Sequence, residues 1–373
     1  MKIIVAPDSF KGSMSASQVS MIIADEILKY DRRIEVIARP MADGGEGTAE
    51  ALLNARQGTW ITKEVTGPIS DMKVKAAFAW FGSDKEAVVE MAKASGIELL
   101  SRDQLNPLNT TTYGTGQLIK AAAQHGAEKI YLAVGGSATV DGGVGAASAL
   151  GWKFLDDHGD IVPPGGGNLG AISEILKPDN LSIPQITVLS DVSNPLCGST
   201  GAARVFAPQK GATTEMVTLL ENNLSHLASL AKSQINKDIA DLPGAGAAGG
   251  LAAGAVAFLN AQIVPGIDHI IEKCDLTQAA IEADWIITGE GCFDEQSLMG
   301  KVTTGIIKVA KAAKTKVAVI AGQINIQKDQ YKKTGIHTAI SCREKDMSVD
   351  IAMKNSKELL QRAVRKFIDS NLG

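Results

Sequence analysis

The sequence predicts a two-domain α/β protein in which a mixed α/β domain is inserted into a doubly wound parallel sheet. Three observations carry that expectation. A chain of 373 residues exceeds the usual size of one hydrophobic core. Strand and helix patterns alternate at both ends of the chain. In the middle, strand follows strand without an intervening helix, the mark of antiparallel pairing.

The elements follow in order. Lys2 to Ala6 is a short apolar strand and Ile34 to Ala38 is the next. Between them Val19, Ile22, Ile23 and Ile27 form a helical stripe, and Ser15 with Gln18 makes a capping box at its start. Strands joined by a crossover helix run parallel. Thr59 to Val65, Met72 to Ala79 and Ala87 to Met91 are strands separated by short turns, and further strands are expected at Ile130 to Val134 and Ile186 to Leu189. Ala245 to Ala261 reads as a tightly packed buried helix, too rich in small residues for a membrane span. Trp285 to Thr288, Val317 to Ala321 and Thr338 to Ser341 are strands, with helices at Thr303 to Ala313 and Asp350 to Ile368.

The economical assembly joins the two N-terminal strands to the three C-terminal ones in a flavodoxin-like (Rossmann-like) sheet of order 2-1-3-4-5. Residues 1–58 and 266–373 would form that discontinuous domain, and 59–265 the inserted one. A cleft between them is the default ligand site.

Composition narrows the function. A formal charge of −4 gives no footprint for nucleic acid, and 4 % aromatics leave little for base stacking. The opening MKIIVAPDSF lacks signal-peptide architecture, and the four cysteines form no CxxC pair. The expectation is a reduced, cytoplasmic protein with no membrane and no nucleic-acid partner. Gly244-Ala-Gly246-Ala-Ala-Gly249 matches a dinucleotide fingerprint but follows a polar, proline-terminated segment instead of a strand. Close packing explains it better. No GxxxxGK[ST] loop occurs.

Glycine is the compositional outlier, with 38 residues concentrated in loops that end strands or open helices. Asp8, Ser9, Lys11 and Ser13 lie in the first, and Asp43, Gly44 and Gly45 in the second. Ser137, Thr139 and Asp141 lie in the third, Asp191 in the fourth, and Thr288, Gly289, Glu290, Gly291, Asp294 and Lys301 in the fifth. Bare backbone N–H groups at such places bind phosphate oxygens, and lysines supply the compensating charge. Carboxylates there hold Mg²⁺ or deprotonate an alcohol. The parts suit phosphoryl transfer. Glu290 and Asp294 are expected to share a metal ion, and Lys11 and Lys301 to contact phosphate or a substrate carboxylate. Asp191, ending a strand ahead of Asn194-Pro195, is the first choice for catalytic base, with Asp43 in reserve. Each residue has a plainer alternative, since Asp43, Asp141 and Ser13 are also good helix caps.

Seven collinear motifs carry a resemblance: APDSFKGSMSA (6–16), PMADGGEGT (40–48), GGSATVDGG (135–143), DVSNPLCGSTGAA (191–203), FAPQKGA (206–212), GAGAAGGL (244–251) and TGEGCFDEQSLMGK (288–301). In this order they resemble the bacterial type I glycerate kinases. Val140 stands where an asparagine is expected, and Thr303 where a proline is common. The resemblance implies a two-domain kinase that uses ATP and Mg²⁺ to phosphorylate the small molecule D-glycerate, commonly at the 2-hydroxyl. The alternatives are the 3-phosphoglycerate product, a non-catalytic solute-binding module, or, on Gly244 to Gly249 alone, an NAD-dependent oxidoreductase. The sequence leaves the oligomeric state open.

Overall fold

The computed structural model describes residues 1–180, 182–298, 302–344 and 346–373. The chain divides into two compact units: Met1–Asp43, Glu50–Gln57 and Ile267–Gly373 form one, and Gly44–Ala49 with Gly58–Gly266 form the other.

The first unit is built on a five-stranded parallel sheet. Its strands run in the order Ile336–Ser341, Lys316–Ala321, Trp285–Thr288, Lys2–Val5, Glu35–Ala38. In chain order this is the expected 2-1-3-4-5. Ile4 pairs with Ile286 on one side and Ile37 on the other, so the first strand is interior, and its Ile3, Ile4 and Val5 are fully buried. Such near-continuous apolar strands are what a sheet covered on both faces requires.

Helix Ala16–Tyr30 buries Val19, Ile23 and Ile27 against one face. Its N-terminus carries the capping box: Gln18 N donates to Ser15 Oγ (3.3 Å) and Ser15 N to Gln18 Oε1 (2.9 Å). Helix Ser356–Asn371 packs beside it through Leu360, Val364 and Phe367, with Phe367 edge-on to Trp285 at 5.2 Å. Glu26, buried between the two helices, accepts from Lys29 (2.6 Å) and Arg365 (2.9 Å). A single helix was expected over 350–368. The structure has two, Val349–Lys354 and Ser356–Asn371, because Asn355 leaves helical geometry (φ −104°, ψ 17°) and its side-chain amide donates to Ile351 O.

The second unit contains a six-stranded mixed sheet. Thr59–Thr66, Lys73–Phe81 and Glu86–Glu90 form the antiparallel meander that the sequence announces. Lys129–Ala133, Gln185–Leu189 and Gln262–Val264 then add in parallel. The segment 44–49, grouped from the sequence with 1–58, packs in this unit: Val134 N donates to Gly44 O (3.2 Å) and Ala49 N to Glu90 Oε1 (2.8 Å).

The small-residue helix expected at 245–261 is Ala247–Leu259, and its first turn is not helical. Ala248, Gly249 and Gly250 have φ of 53°, 64° and 88°. The reason is close approach, because a Cβ on Gly249 would lie 2.0 Å from Thr139 O and one on Gly254 2.3 Å from Gly142 O. The glycines of the apparent dinucleotide fingerprint therefore serve packing.

Candidate functional site

In the first unit the segments that follow the carboxyl ends of all five strands line one pocket of about 370 Å³. Ladder bonds continue past each strand and fix where the loops start. Ala6 N donates to Ile287 O and Asp8 N to Gly289 O, each at 2.8 Å. Arg39 N and Met41 N donate to Val5 O and Pro7 O, which carries the second loop to Asp43. Gly322 N and Gln323 N donate to Glu290 O and Gly291 O at 3.0 Å. Gly289 is required for this closeness, since a Cβ there would sit 1.8 Å from Ile320 O.

The first loop is a tight turn. Phe10 O accepts from Ser13 N, Met14 N and Ser13 Oγ, and Gly12 supplies the left-handed residue (φ 78°) that closes it. The turn leaves Lys11 exposed at the pocket. Asp8, Ser9, Lys11, Ser13, Asp43, Glu290, Gly291 and Asp294 all line this one space. Glu290 Oε1 accepts from Thr303 Oγ1 (2.9 Å), a hydroxyl that a proline at 303 would lack. Asp294 Oδ1 accepts from Ser297 N, and Ser297 Oγ accepts from Asp294 N, which closes the turn into Gln296–Leu298.

Four carboxylates, those of Asp8, Asp43, Glu290 and Asp294, line this pocket. Burial pushes the Asp8 carboxyl up to about 7. Asp43 adds to that push, the Ser9 N–H (2.6 Å) and Lys11 oppose it, and Glu290 adds a further push. Folded Asp8 holds its proton up to about pH 7, whereas an ordinary aspartate loses it near 3.8. Between those values the folded chain binds more protons than the unfolded one, so this group lowers stability as pH rises. Asp8→Asn should therefore melt above the wild type at pH 8, with the gap closing towards pH 4. Parallel curves of Tm against pH would contradict this origin.

The donor set for a metal is all oxygen, as Mg²⁺ prefers. Among the described residues no group of three or more His, Cys, Asp or Glu side chains is arranged to hold an ion by itself.

The other sequence-derived candidates are not among the residues that line this pocket. Thr288 is fully buried and its hydroxyl donates to Ala6 O (2.9 Å), so it is a sheet fastener. In the second unit Gly44 and Gly45 are buried, and Thr48 Oγ1 donates to Gly45 O. Asp141 is 1 % exposed and accepts from Thr112 N, Thr112 Oγ1, Gly143 N and Gly145 N at 2.8 to 3.3 Å. It caps helix Val144–Ala149 from inside, and Thr139 is equally inaccessible. Neither side chain is exposed to solvent. Ser137 accepts from Lys210 Nζ (2.6 Å), which also donates to Thr139 O (2.7 Å). Lys210 is 2 % exposed, and burial pushes its ammonium down to about 7 against the pull of Asp141. Asp191 follows strand Gln185–Leu189, and its Oδ1 accepts from Gly266 N (2.8 Å). Lys301 lies outside the described residues.

Sequence reasoning missed the rest of the pocket wall. Gln323, Cys342, Arg343, Val349, Ala352 and Met353 come from a region with no motif. The only signal there was apolar residues on a short amphipathic segment. Lys210 stood inside the FAPQKGA motif without being singled out.

Comparison with known proteins joins these observations. The family model of the glycerate kinase family matches residues 3–370. The glycerate 2-kinase of Escherichia coli K12 is 41 % identical over 369 residues, covering 98 % of this chain and 96 % of the relative. A glycerate kinase of Halalkalibacterium halodurans is 41 % identical over 366 residues, covering 97 % and 96 %. The crystal structure of a Salmonella typhimurium LT2 protein superposes with a TM-score of 0.86 at 38 % identity, covering 99 % of this chain and 98 % of that one. The resemblance carried by seven loop motifs thus extends to nearly every residue, including the motif-poor C-terminal segment: the chain belongs to the glycerate kinase family.

Proposed function

We propose that the protein transfers the γ-phosphoryl group of ATP to the 2-hydroxyl of D-glycerate, giving ADP and 2-phosphoglycerate. The observation that carries this is the gathering of Asp8, Ser9, Lys11, Ser13, Asp43, Glu290 and Asp294 around one pocket, in a chain related to a protein named glycerate 2-kinase. Phosphoryl transfer asks a protein mainly to position groups and offset charge. Lys11 offers a cation to phosphate or carboxylate oxygens. Glu290 and Asp294, with Asp8 and Asp43 beside them, would hold Mg²⁺ together with the phosphates. The ion would neutralise phosphate charge and relieve the repulsion from Asp43 and Glu290 that adds to the effect of burial on Asp8. Asp191 is the proposed acceptor of the hydroxyl proton, and Asp43 the reserve. The two compact units are proposed as the two domains of the enzyme.

Purified protein with ATP, Mg²⁺ and D-glycerate should release ADP, and ³¹P-coupled ¹³C NMR should find the phosphate on carbon 2. A 3-phosphoglycerate product would overturn the regiochemistry, and no glycerate-dependent ADP would overturn the kinase reading. Lys11→Ala should lower kcat/KM roughly ten- to a hundred-fold, the worth of one hydrogen bond to a charged group. Its Tm should not move, because Lys11 is exposed.

A further inference from the structure

The pocket has two unlike sides, and the substrate proposed above explains only one. One side is the carboxylates and Lys11 on the strand-end loops. The other is apolar: Val349, Ala352 and Met353 from helix Val349–Lys354, with Cys342 and Leu359 behind them. Val349 and Met353 lie one helical turn apart on the pocket side and remain 51 % and 38 % exposed, although they are large apolar residues. A three-carbon hydroxy acid has no apolar face to set against them, and it fills a fraction of 370 Å³.

We infer that this apolar side receives the base of the nucleoside triphosphate, with its phosphates running towards the Phe10–Met14 turn. The inference rests on the kinase reading and assigns the donor's place within it. A nucleotide joins a flat heterocycle with apolar faces to a polyanion, and the pocket joins an apolar wall to loops able to take one. The two sides are continuous, for a Cβ on Gly12 would touch Met353 Cε at 2.7 Å. The phosphate turn therefore rests directly on the apolar wall. Arg343 ties the wall to the strand ends: Nε donates to Met347 O (2.6 Å) and Nη1 to Gln323 Oε1 (2.5 Å). Both partners are neutral, so neither cancels the guanidinium charge at the pocket's edge.

The test is fluorescence titration with N-methylanthraniloyl-ADP and Mg²⁺, with inorganic tripolyphosphate as a competitor that lacks a base. Ala352→Phe fills the apolar side and should weaken the nucleotide roughly tenfold or more. Tripolyphosphate affinity and the KM for glycerate should stay within about twofold of the wild type. Met353→Ser, at a part-exposed position that costs little packing, should weaken the nucleotide in the same selective way. Wild-type nucleotide affinity in both folded variants would overturn the inference and leave the kinase reading standing. Failure of the wild type to bind any nucleotide would overturn both.

Discussion

Asp191→Asn is expected to lower kcat by ~10²–10⁴, the range for loss of a general base, with MgADP affinity unchanged. The substitution suits its purpose because the amide oxygen of asparagine can accept from Gly266 N as Oδ1 of Asp191 does now (2.8 Å). The turn at Gly266 should therefore survive, and the melting temperature should stay near that of the wild type. What disappears is a carboxylate able to take the proton of an alcohol as phosphoryl transfer proceeds. The measurements are steady-state kinetics, nucleotide titration and thermal melting on the same preparation. A small fall in kcat with a large fall in Tm would make Asp191 a structural pin for the turn and move the base to Asp43, which lines the first unit's pocket.

Asp141→Ala should be the most damaging single change to stability. It removes an acceptor from three buried backbone N–H groups, those of Thr112, Gly143 and Gly145, and from the Thr112 hydroxyl. Each abandoned donor costs about 1–3 kcal/mol. Lys210, buried beside Ser137 and Thr139, also loses the carboxylate whose attraction favours its charged form. Removing one partner of a buried charged arrangement costs about 3–5 kcal/mol, and we expect a total of at least that size by urea unfolding. Asp141→Asn keeps the shape and one acceptor but turns an NH₂ towards the donors, so it should fall between wild type and alanine. Stability equal to the wild type in Asp141→Ala would show that these bonds are replaced, and would favour a ligand role for the residue.

Much of the architecture was legible in the chain. The central strands are continuous apolar runs, and the stripe Val19, Ile23, Ile27 has the 3.6-residue period of a helix lying on a sheet. The Ser15–Gln18 cap is a local exchange of two hydrogen bonds between near neighbours. The strand order followed from chain alternation and the flavodoxin-like winding it suggests. Even the rejection of Gly244 to Gly249 as a dinucleotide loop needed only the missing strand before it. These are properties of segments, set by contacts a few residues apart or by rules of connection.

The site divides differently. Asp43-Gly44-Gly45 and Asp141-Gly142-Gly143 are the same tripeptide after a strand, yet Asp43 lines a pocket and Asp141 is sealed in a core. What separates them is Thr112, which brings an N–H and a hydroxyl to Asp141 from 29 residues away. Lys11-Gly12 and Lys210-Gly211 form a second such pair, one lysine exposed at a pocket and the other 2 % exposed with its ammonium on Ser137 and Thr139. The apolar wall of Val349, Ala352 and Met353 has no motif at all, because an apolar face does not state what it meets. By itself the sequence determined the five strands of the parallel sheet, their order and the glycine-rich loops able to carry phosphate chemistry. Only the tertiary structure decided which of those loops meet at one pocket, because burial and charge depend on groups that folding brings from far along the chain.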